Sequence, residues 1–370
     1  MSKLDDARIK INQIDKEMAS LFAARMKAVE DVAAYKKEHG LPIFDEKREQ
    51  AVIEKNASLV EDPVIRAHYI RFLEEEMAVS KRYQETLIKG VKIAYSGIPG
   101  AFANIAAKRV FPEGRIVSFP DFKTTYAAVE SGECDCCVLP IENSYAGEVS
   151  QVMDLMFSGS LFVSGVYTLK IAQHLLGVKG ASLSDIRKVI SHPQALSQCA
   201  KYLEKHGFKT MDATNTALAA RSVRDDGDKT IAAIASSETA KLYGLKILDR
   251  DINTSAQNST RFAVFSRAEH TAPLSDDARF ILMFSVRNEA GALAKAINVI
   301  GEYGYNMKAL RSRPMRELPW QYYFYIEGEG NLHSSSGRKM MEELKTHCDS
   351  LKAVGRYAGE IILKDGDEDE

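Results

Sequence analysis

Cationic residues recur on one face of a predicted helix near the start of the chain. Apolar residues there follow one another at intervals of three and four, which is the spacing of a packed helix face. They are Leu4, Ala7, Ile11, Ile14, Met18, Leu21, Ala28 and Val32. Arg25 takes the next position in that register, and Lys36 returns to within about 20° of Arg25 around the helix. Because a buried cation without a partner is costly, this face predicts either a carboxylate of the same chain or an anionic ligand.

Three polar clusters in the middle of the chain form a second group of candidate site residues. Each adjoins an apolar run of strand length, and the residues are Glu142, Asn143 and Ser144; Ser191, His192 and Gln198; and Thr260 and Arg261. Open α/β sheets bind ligands at the carboxyl ends of their strands, so these clusters predict a crevice. The alternative for the first cluster is an Asn-Ser pair that only caps a helix.

Composition and pattern divide the 370 residues into three predicted domains, since one core rarely serves so long a chain. Residues 1–88 are highly charged and read as almost all helix. Residues 91–268 alternate short apolar runs with helical segments, as α/β domains do. Residues 278–364 run strand, helix, strand, strand, helix, strand, the order of an α+β, ferredoxin-like module. We therefore expect a multidomain protein.

The predicted first helix is too long for its own domain. Residues 4–39 would span about 54 Å, a rod that 88 residues cannot cover alone. A dimer in which two such helices run side by side would cover it, and Arg8, about 100° from Arg25 around the helix, could then serve the partner's site. After a break at Gly40, the predicted second helix begins near Phe44. This helix presents Asp45, Arg48 and Glu49 on one face. The third helix, residues 63–88, presents Ser80 and Gln84.

The bulk properties exclude several classes of function. A net charge of −2 gives no general attraction to nucleic acid, and no apolar run is long enough to span a membrane. Five cysteines without an export signal predict reduced thiols and a cytoplasmic location. The cysteines between Cys134 and Cys137 are too closely spaced for a usual zinc site, so we expect buried structural residues there, no metal and no cofactor. Cys199 is also expected to be structural.

The first region resembles the all-helical chorismate mutases. The resemblance lies in the order and spacing of the segments Arg8–Asp15, Phe22–Arg25, Lys36, Asp45–Glu49 and Ser80–Gln84. It implies an intertwined dimer in which Arg8 crosses into the other subunit's site. It also implies a set of catalytic residues, Arg8, Arg25, Lys36, Arg48 and Glu49, and a set of substrate-binding residues, Asp45, Ser80 and Gln84.

The chemistry of that reaction suits these residue types. Chorismate is a dianion, and its rearrangement to prephenate needs neither a nucleophile nor a proton transfer. Catalysis must come from holding the reactive conformer and from cations placed where the ether oxygen gains charge. We expect the cation at Lys36 to matter most.

The second region resembles the prephenate dehydratases in the segments Pro140–Ser144, Ser191–Cys199, Tyr243–Leu245 and Asn258–Phe262. The resemblance implies two α/β lobes, as in type-II periplasmic binding proteins, with the site between them. It implies Thr260 as the catalytic residue, with the other polar residues of the three clusters binding or supporting the substrate. We hypothesise that Thr260 donates to the departing hydroxyl and that Arg261 holds a carboxylate in a bidentate pair. His192 is the alternative general acid.

The third region resembles the ACT domains of dehydratases, in which a Gly-Ala-Leu segment and a Glu-Ser-Arg-Pro segment bind phenylalanine at a dimer interface. The corresponding residues are Gly291, Ala292 and Leu293, which open the first helix, and Arg311, Ser312, Arg313 and Pro314, which end the second strand. A helix start supplies N–H groups for a carboxylate. Arg311 stands where the family has an acid. The alternative is a module that only dimerises.

The leading hypothesis is a bifunctional enzyme of phenylalanine biosynthesis that converts chorismate to prephenate and then prephenate to phenylpyruvate, with feedback inhibition by phenylalanine. One alternative is a monofunctional dehydratase whose helical region only dimerises. Another is a ligand-binding sensor, because two-lobed folds also serve binding proteins. Two dimerising regions predict a homodimer and would permit a tetramer.

Overall fold

The computed structural model describes residues 2–255, 257–269, 278–315 and 318–364. The chain divides into two compact units, Met1–Val91 and Lys92–Glu370. Among the helices that the structure describes, none combines the length and apolar character needed to cross a membrane.

The first unit contains the three predicted helices, α1 (Lys3–Glu38), α2 (Glu46–Ala57) and α3 (Pro63–Lys89). A capping box between Ser2 and Asp5 begins α1, because the Ser2 hydroxyl accepts from the Asp5 N–H while the Asp5 carboxylate accepts from the Ser2 N–H. The all-helical prediction for this region is confirmed.

The apolar face predicted on α1 is largely exposed in the single chain. All eight of its apolar residues are exposed, and Leu21 is 70% exposed. Val29 and Ala33 are the buried residues of this helix. The face exists as predicted, but the described residues of one chain do not cover it.

The second unit begins with a lobe built on a mixed sheet. Its strands are β1 (Lys92–Ser96), β2 (Arg115–Phe119), β3 (Cys136–Asn143), β4 (Gly147–Glu148) and β5 (Phe162–Lys170). Its helices are α4 (Phe102–Val110), α5 (Phe122–Glu130) and α6 (Ser150–Ser158). β1 pairs in parallel with β2 and β3.

A second lobe follows, with a five-stranded sheet in the order β10-β6-β9-β7-β8. Its strands are β6 (His174–Gly177), β7 (Lys188–Ser191), β8 (Lys209–Asp212), β9 (Ile231–Ala235) and β10 (Lys246–Asp249). Its helices are α7 (Pro193–Gln198), α8 (Ala200–His206), α9 (Thr216–Asp226) and α10 (Ser237–Tyr243), with a 3₁₀ turn at Leu183–Asp185. The chain then returns to the first lobe as β11 (Ser259–Ser266), antiparallel to both β3 and β5.

The last part of the chain forms the predicted βαββαβ module. It comprises β12 (Arg279–Ser285), α11 (Ala292–Glu302), β13 (Asn306–Pro314), β14 (Tyr322–Glu329), α12 (Ser335–His347) and β15 (Ser350–Tyr357), followed by β16 (Ile361–Leu363). The strand order β13-β14-β12-β15 is the ferredoxin-like order, so this prediction of topology is confirmed.

The module and the first lobe share one continuous sheet. β15 pairs in parallel with β5 where Gly355 faces Val163, and a Cβ at Gly355 would lie 2.1 Å from the Val163 carbonyl oxygen. Only glycine allows this approach. One face of the module sheet packs against α11 and α12, whereas Ile281, Met283 and Tyr325 on its other face join the core of the first lobe.

Candidate active sites

In the helical unit, Arg25 has partners within its own chain. Its Nε lies 3.2 Å from the Glu76 carboxylate, and its Nη1 donates to the Ser80 hydroxyl. Ser80 is buried on α3 and donates to the Glu76 carbonyl at 2.8 Å. The intramolecular carboxylate that the sequence left open is therefore present, and the predicted site residues Arg25 and Ser80 are in contact.

Three other predicted site residues lie near the end of α1 and the start of α2, and each has a partner in the chain. Lys36 Nζ donates to the Ile43 carbonyl at 2.6 Å, and the Glu49 carboxylate lies 2.8 Å from Lys81 Nζ. Asp45 is the N-cap of α2, where its side chain accepts from the Arg48 N–H at 3.0 Å. The helix thus begins at Glu46, two residues later than predicted, because the carboxylate of Asp45 caps it rather than joining it.

Two cations and one amide of the helical unit lack such partners. Among the described residues, neither Arg8 nor Arg48 forms an ion pair, and both are exposed. Gln84 is buried on α3, and its Oε1 has no hydrogen-bond partner in the described part of the chain. The unit therefore presents cations and a buried acceptor that can engage an added ligand or a second chain.

In the second unit, a crevice of about 420 Å³ lies between the two lobes. Its lining includes Asn143, His192, Gln198 and Thr260, which come from all three predicted clusters. The prediction that these clusters meet at a crevice is confirmed. The lining contains no Asp, Glu, Lys or Arg side chain among the residues that the structure describes.

Thr260 and Asn143 face each other across β11 and β3. The Asn143 amide donates to the Thr260 hydroxyl oxygen at 3.0 Å, and its Oδ1 accepts from the backbone N–H groups of Tyr145 and Ala146 at 3.0 and 2.9 Å. Since the Thr260 oxygen accepts from Asn143, its own O–H proton is available to donate to a ligand.

A β-bulge in β3 shapes this wall of the crevice. The register between β11 and β3 shifts between Arg261 and Phe262, so that Phe262 pairs with Pro140. As a result, Asn143 and Pro140, three residues apart, both line the crevice. Strict alternation would turn one of them away, and bulges near active sites often re-aim side chains in this manner.

The second-lobe cluster divides into one supporting residue and two lining residues. The fully buried Ser191 donates to the Ile234 carbonyl at 2.7 Å and so ties β7 to β9. His192 is the N-cap of α7, and its Nδ1 accepts from the Gln194 N–H at 3.2 Å. A neutral ring that accepts at Nδ1 carries its proton on Nε2, whereas a doubly protonated ring would lose this cap. Gln198 Oε1 lies 3.5 Å from the Gln173 amide nitrogen.

Arg261 and Glu142 lie on the opposite face of the same two strands, away from the crevice. The Arg261 guanidinium lies 3.0 Å from Glu142, 2.8 Å from Glu327 and 3.3 Å from Glu360. The hypothesis that Arg261 holds the substrate carboxylate is therefore wrong for this structure, because its bidentate partner is Glu327. Glu142 likewise meets arginines rather than the crevice.

This carboxylate–arginine cluster is strongly perturbed. Burial by itself raises the pKa of Glu327, but hydrogen bonds and charge from Arg261, with hydrogen bonds from Tyr357 and Tyr325, bring it below its ordinary value. Burial by itself lowers the pKa of Arg261, and Glu327 more than offsets that effect. The cluster is a stable set of ions on the reverse face of the crevice wall.

Ser144 and the cysteines take structural positions. The Ser144 hydroxyl accepts from the Ser259 N–H at 3.0 Å and donates to the Gln257 carbonyl at 3.2 Å, which ties the loop after β3 to the chain before β11. The cysteines predicted to fill buried positions do so, and burial raises the pKa of Cys136 and Cys199 to about 12. All five cysteines are free thiols.

The sequence missed the lining residues at two helix starts. α4 begins at Phe102 and α9 at Thr216, and both residues line the crevice. The N-cap of α4, Ala101, makes no side-chain cap, so the first N–H groups of that helix are not capped by it. Nothing in the sequence marked Thr216 or Gln173.

The predicted effector residues divide by strand face. Gly291 is the N-cap of α11 at a φ of +81°, followed by Ala292 and Leu293. On β13, Ser312 and Pro314 are exposed, whereas Arg311 and Arg313 turn towards the first lobe and form ion pairs there. Direct effector contact by these two guanidinium groups is therefore not supported, because carboxylates of the first lobe engage both.

An all-helical unit that presents cations and a two-lobed α/β unit with a polar crevice define a two-site enzyme of the mutase–dehydratase class. Residues 7–85 match the family model of chorismate mutase type II, and residues 93–270 match that of prephenate dehydratase. A bifunctional chorismate mutase/prephenate dehydratase from Enterobacter agglomerans is 31% identical over 96% of each chain. The chain belongs to this bifunctional family, as the sequence predicted.

Two solved structures resemble the chain over 72% of its length. One is a prephenate dehydratase from Arthrobacter aurescens in complex with L-Phe, with a TM-score of 0.68, 25% identity and 90% of that chain covered. The other, GqqA, is described as a novel type of quorum-quenching acylase and has a TM-score of 0.67, 31% identity and 98% of that chain covered.

Proposed function

We propose that the helical unit rearranges chorismate to prephenate and that the crevice converts prephenate to phenylpyruvate. The observation that carries the second step is the contact between Asn143 and Thr260 on the crevice wall. It leaves one hydroxyl proton available to a departing group in a site whose described lining has no ionic side chain. Residues 1–88, 91–268 and 278–364 are proposed as the mutase, dehydratase and ACT domains.

For the mutase, the proposed catalytic groups are cations that the chain only partly neutralises. Arg25 and Lys36 lie eleven residues apart on α1, about 16 Å along the helix axis, so their long side chains can converge on a ligand between them. Arg48, Glu49 and Gln84 would complete the lining, and Arg8 would enter the partner's site. The exposed apolar face of α1 supports a homodimer, which sedimentation of the full chain tests.

For the dehydratase, the proposed roles follow the crevice wall. The ring carboxylate of prephenate leaves as CO₂, the electron pair of the broken C–C bond completes the aromatic ring, and the hydroxyl departs as hydroxide. Thr260 donates a hydrogen bond to that hydroxyl, and Asn143 orients Thr260. Because the lining residues that the structure describes include no Arg or Lys, the N–H groups at the start of α4 and α9 are proposed to hold the substrate's carboxylates.

His192 is proposed as a neutral donor rather than as the general acid. Its Nδ1 already accepts from the Gln194 N–H, so protonating that nitrogen would remove the cap of α7. Gln198 and Gln194 complete the lining on this side.

L-Phenylalanine is the proposed effector, since the similar Arthrobacter aurescens dehydratase was solved with L-Phe. Gly291, Ala292, Leu293, Ser312 and Pro314 are the residues proposed to meet it. A homodimer is proposed from the exposed face of α1, and a cytoplasmic location is proposed from the five free cysteines.

The test is to add chorismate to the purified chain and to follow chorismate, prephenate and phenylpyruvate over time, with and without phenylalanine. Phenylpyruvate should form without a second enzyme and more slowly with phenylalanine. Accumulating prephenate would refute the dehydratase, and unchanged chorismate would refute the mutase. An unchanged rate with phenylalanine would refute the effector.

A further inference from the structure

We propose that Arg311 and Arg313 are positioning residues of the dehydratase, which hold together the base of the β3–β4 hairpin that carries Asn143. The proposal rests on the proposed function of the crevice. Arg311 and Arg313 belong to β13 of the module, whereas the hairpin belongs to the first lobe. The module would therefore support catalysis whether or not an effector is bound.

The hairpin brings two negative charges together. Glu142 of β3 pairs directly with Glu148 of β4, and Asn143 pairs with Gly147. Like charges at directly opposed positions of an antiparallel pair destabilise it. The hairpin is only two residue pairs long, so backbone bonding alone gives it little strength. Cations must therefore offset the repulsion if the hairpin is to stay closed.

Arg261 of the first lobe already pairs with Glu142, and the module supplies one further cation to each glutamate. Arg311 forms an ion pair with Glu142, and Arg313 forms one with Glu148. Residues two apart on a strand are about 6.5 Å apart on the same face, whereas opposed residues in a hairpin are about 5 Å apart. Long arginine side chains span this small difference, so two arginines at this spacing can each reach one of the two carboxylates.

Both arginines are themselves held in place. The position of the Arg313 guanidinium is restricted by further contacts. It also donates to the Tyr323 hydroxyl at 2.9 Å and to Ser150 at 3.0 Å, and it lies 3.4 Å from Asp154. The Arg311 guanidinium carbon lies 5.4 Å from the centre of the Tyr325 ring. Arg311 and Arg313 side chains are 23% and 14% exposed, so water screens these pairs less than surface pairs.

The hairpin in turn determines where Asn143 lies. The Asn143 side chain accepts from the N–H groups of Tyr145 and Ala146 in the hairpin loop, and it donates to Thr260. Opening the hairpin would withdraw those two donors from the Asn143 Oδ1 and leave the amide held only from the β11 side, by Asn258, Ser259 and Thr260, so its orientation towards Thr260 would be less fixed. The arginines touch neither the crevice lining nor Thr260, so they act through Glu142, Glu148 and Asn143.

The test compares Arg313→Gln and Arg311→Gln with a matched control, Lys308→Gln, in the full-length chain. Lys308 is a cation of the same strand, but its ion pair, 2.9 Å to Glu329, stays within the module. Initial rates with prephenate give the dehydratase kcat and KM, rates with chorismate give the mutase kcat as an internal measure of chain concentration, and urea unfolding reports the folding of the second unit. We expect Arg313→Gln to lose about tenfold in dehydratase kcat and Arg311→Gln to lose less, because Arg261 still pairs with Glu142. KM and the mutase should be unchanged in both, and Lys308→Gln should match the wild type.

Removing the charge of Glu148, the ion-pair partner of Arg313, distinguishes a positioning role from a merely structural one. Glu148→Gln combined with Arg313→Gln should recover most of the lost kcat, because the repulsion between the glutamates is then gone. Arg313→Lys, which keeps the cation, should lose less than Arg313→Gln. If Arg313→Gln is too unstable to purify, the double variant and the lysine variant still give the comparison.

Two outcomes overturn the proposal. One is a dehydratase kcat within twofold of wild type in both glutamine variants, and the other is an equal loss in Arg313→Gln and in its combination with Glu148→Gln. A wild-type chain that does not consume prephenate would instead refute the proposed function and the positioning role with it, so the two failures are distinguishable.

Discussion

The two candidate sites differ in where the chain places its charges. In the helical unit, the predicted site residues Arg25, Lys36 and Arg48 are themselves cations. In the crevice of the second unit, the described lining has no ionic side chain, and the charged residues of the same strands, Glu142 and Arg261, turn to the reverse face. A rearrangement that gains charge at an ether oxygen needs cations nearby. A fragmentation driven by aromatisation needs an oriented hydrogen-bond donor and a grip on the carboxylates.

The two sites also differ in how much of each one chain supplies. The crevice is enclosed by two lobes of a single chain, and residues of three separate clusters meet in it. The helical unit leaves Arg8 and Arg48 exposed and an apolar face of α1 open. We infer that the first site depends on a second copy and that the second site does not, so separate substitutions should affect the two activities independently.

Thr260→Val should cause the largest loss of activity, and the loss should be limited to the dehydratase reaction of the crevice. It removes the only proposed donor to the departing hydroxyl while keeping the shape of the side chain, so dehydratase kcat should fall by about a thousandfold. Thr260→Ser should retain most of the activity. Phenylpyruvate formation from prephenate measures the loss, and mutase activity of the same sample is the control. A valine variant that keeps most of its kcat would remove Thr260 from the mechanism.

Lys36→Met should lower the mutase activity and leave the dehydratase activity unchanged. It removes the cation proposed for the ether oxygen but keeps much of the aliphatic stem, so mutase kcat should fall by about a hundredfold. The neighbouring exposed Lys37→Met is the matched control and should change little. Chorismate consumption measures the effect. Equal losses in the two variants would mean that general charge, and not the position of Lys36, supports the reaction.

Glu327→Gln tests the reverse face of the crevice wall through stability. It leaves the buried Arg261 with weaker compensation, so the free energy of unfolding of the second unit should fall by about 3 kcal/mol near neutral pH. Because the pKa of Glu327 in the folded chain is below the ordinary value of 4.5, its stabilising effect is present above that value and is lost as pH falls through the lowered pKa.

The difference between wild type and Glu327→Gln should therefore shrink as pH falls below the ordinary value of 4.5. Urea unfolding at neutral and acid pH measures it. A difference that stays constant across this range would mean that packing, and not the carboxylate charge, accounts for the loss.

The features that the sequence predicted correctly were helices and strands, which depend on residues close together in the chain. Periodicity marked α1, and apolar runs marked β3, β7 and β11, because those signals are carried by neighbouring residues. The face that each strand residue presents was not predictable. It depends on the bulge that shifts β11 against β3, and on partners distant in sequence such as Glu327 for Arg261. Sequence proximity therefore grouped Thr260 with Arg261, although the pleat sends them to opposite faces.

His192→Asn should have the smallest effect and would sharpen the assignment of the proton donor. An asparagine side chain can cap α7 by accepting from the Gln194 N–H as His192 does, so the helix start should persist. If His192 is a neutral lining residue, dehydratase kcat should fall less than tenfold and its pH profile should keep its shape. A loss as large as that of Thr260→Val, with a changed shape of the pH profile, would move the acid role to His192. The crevice would then rely on a charged group after all, and the contrast with the helical unit would fail.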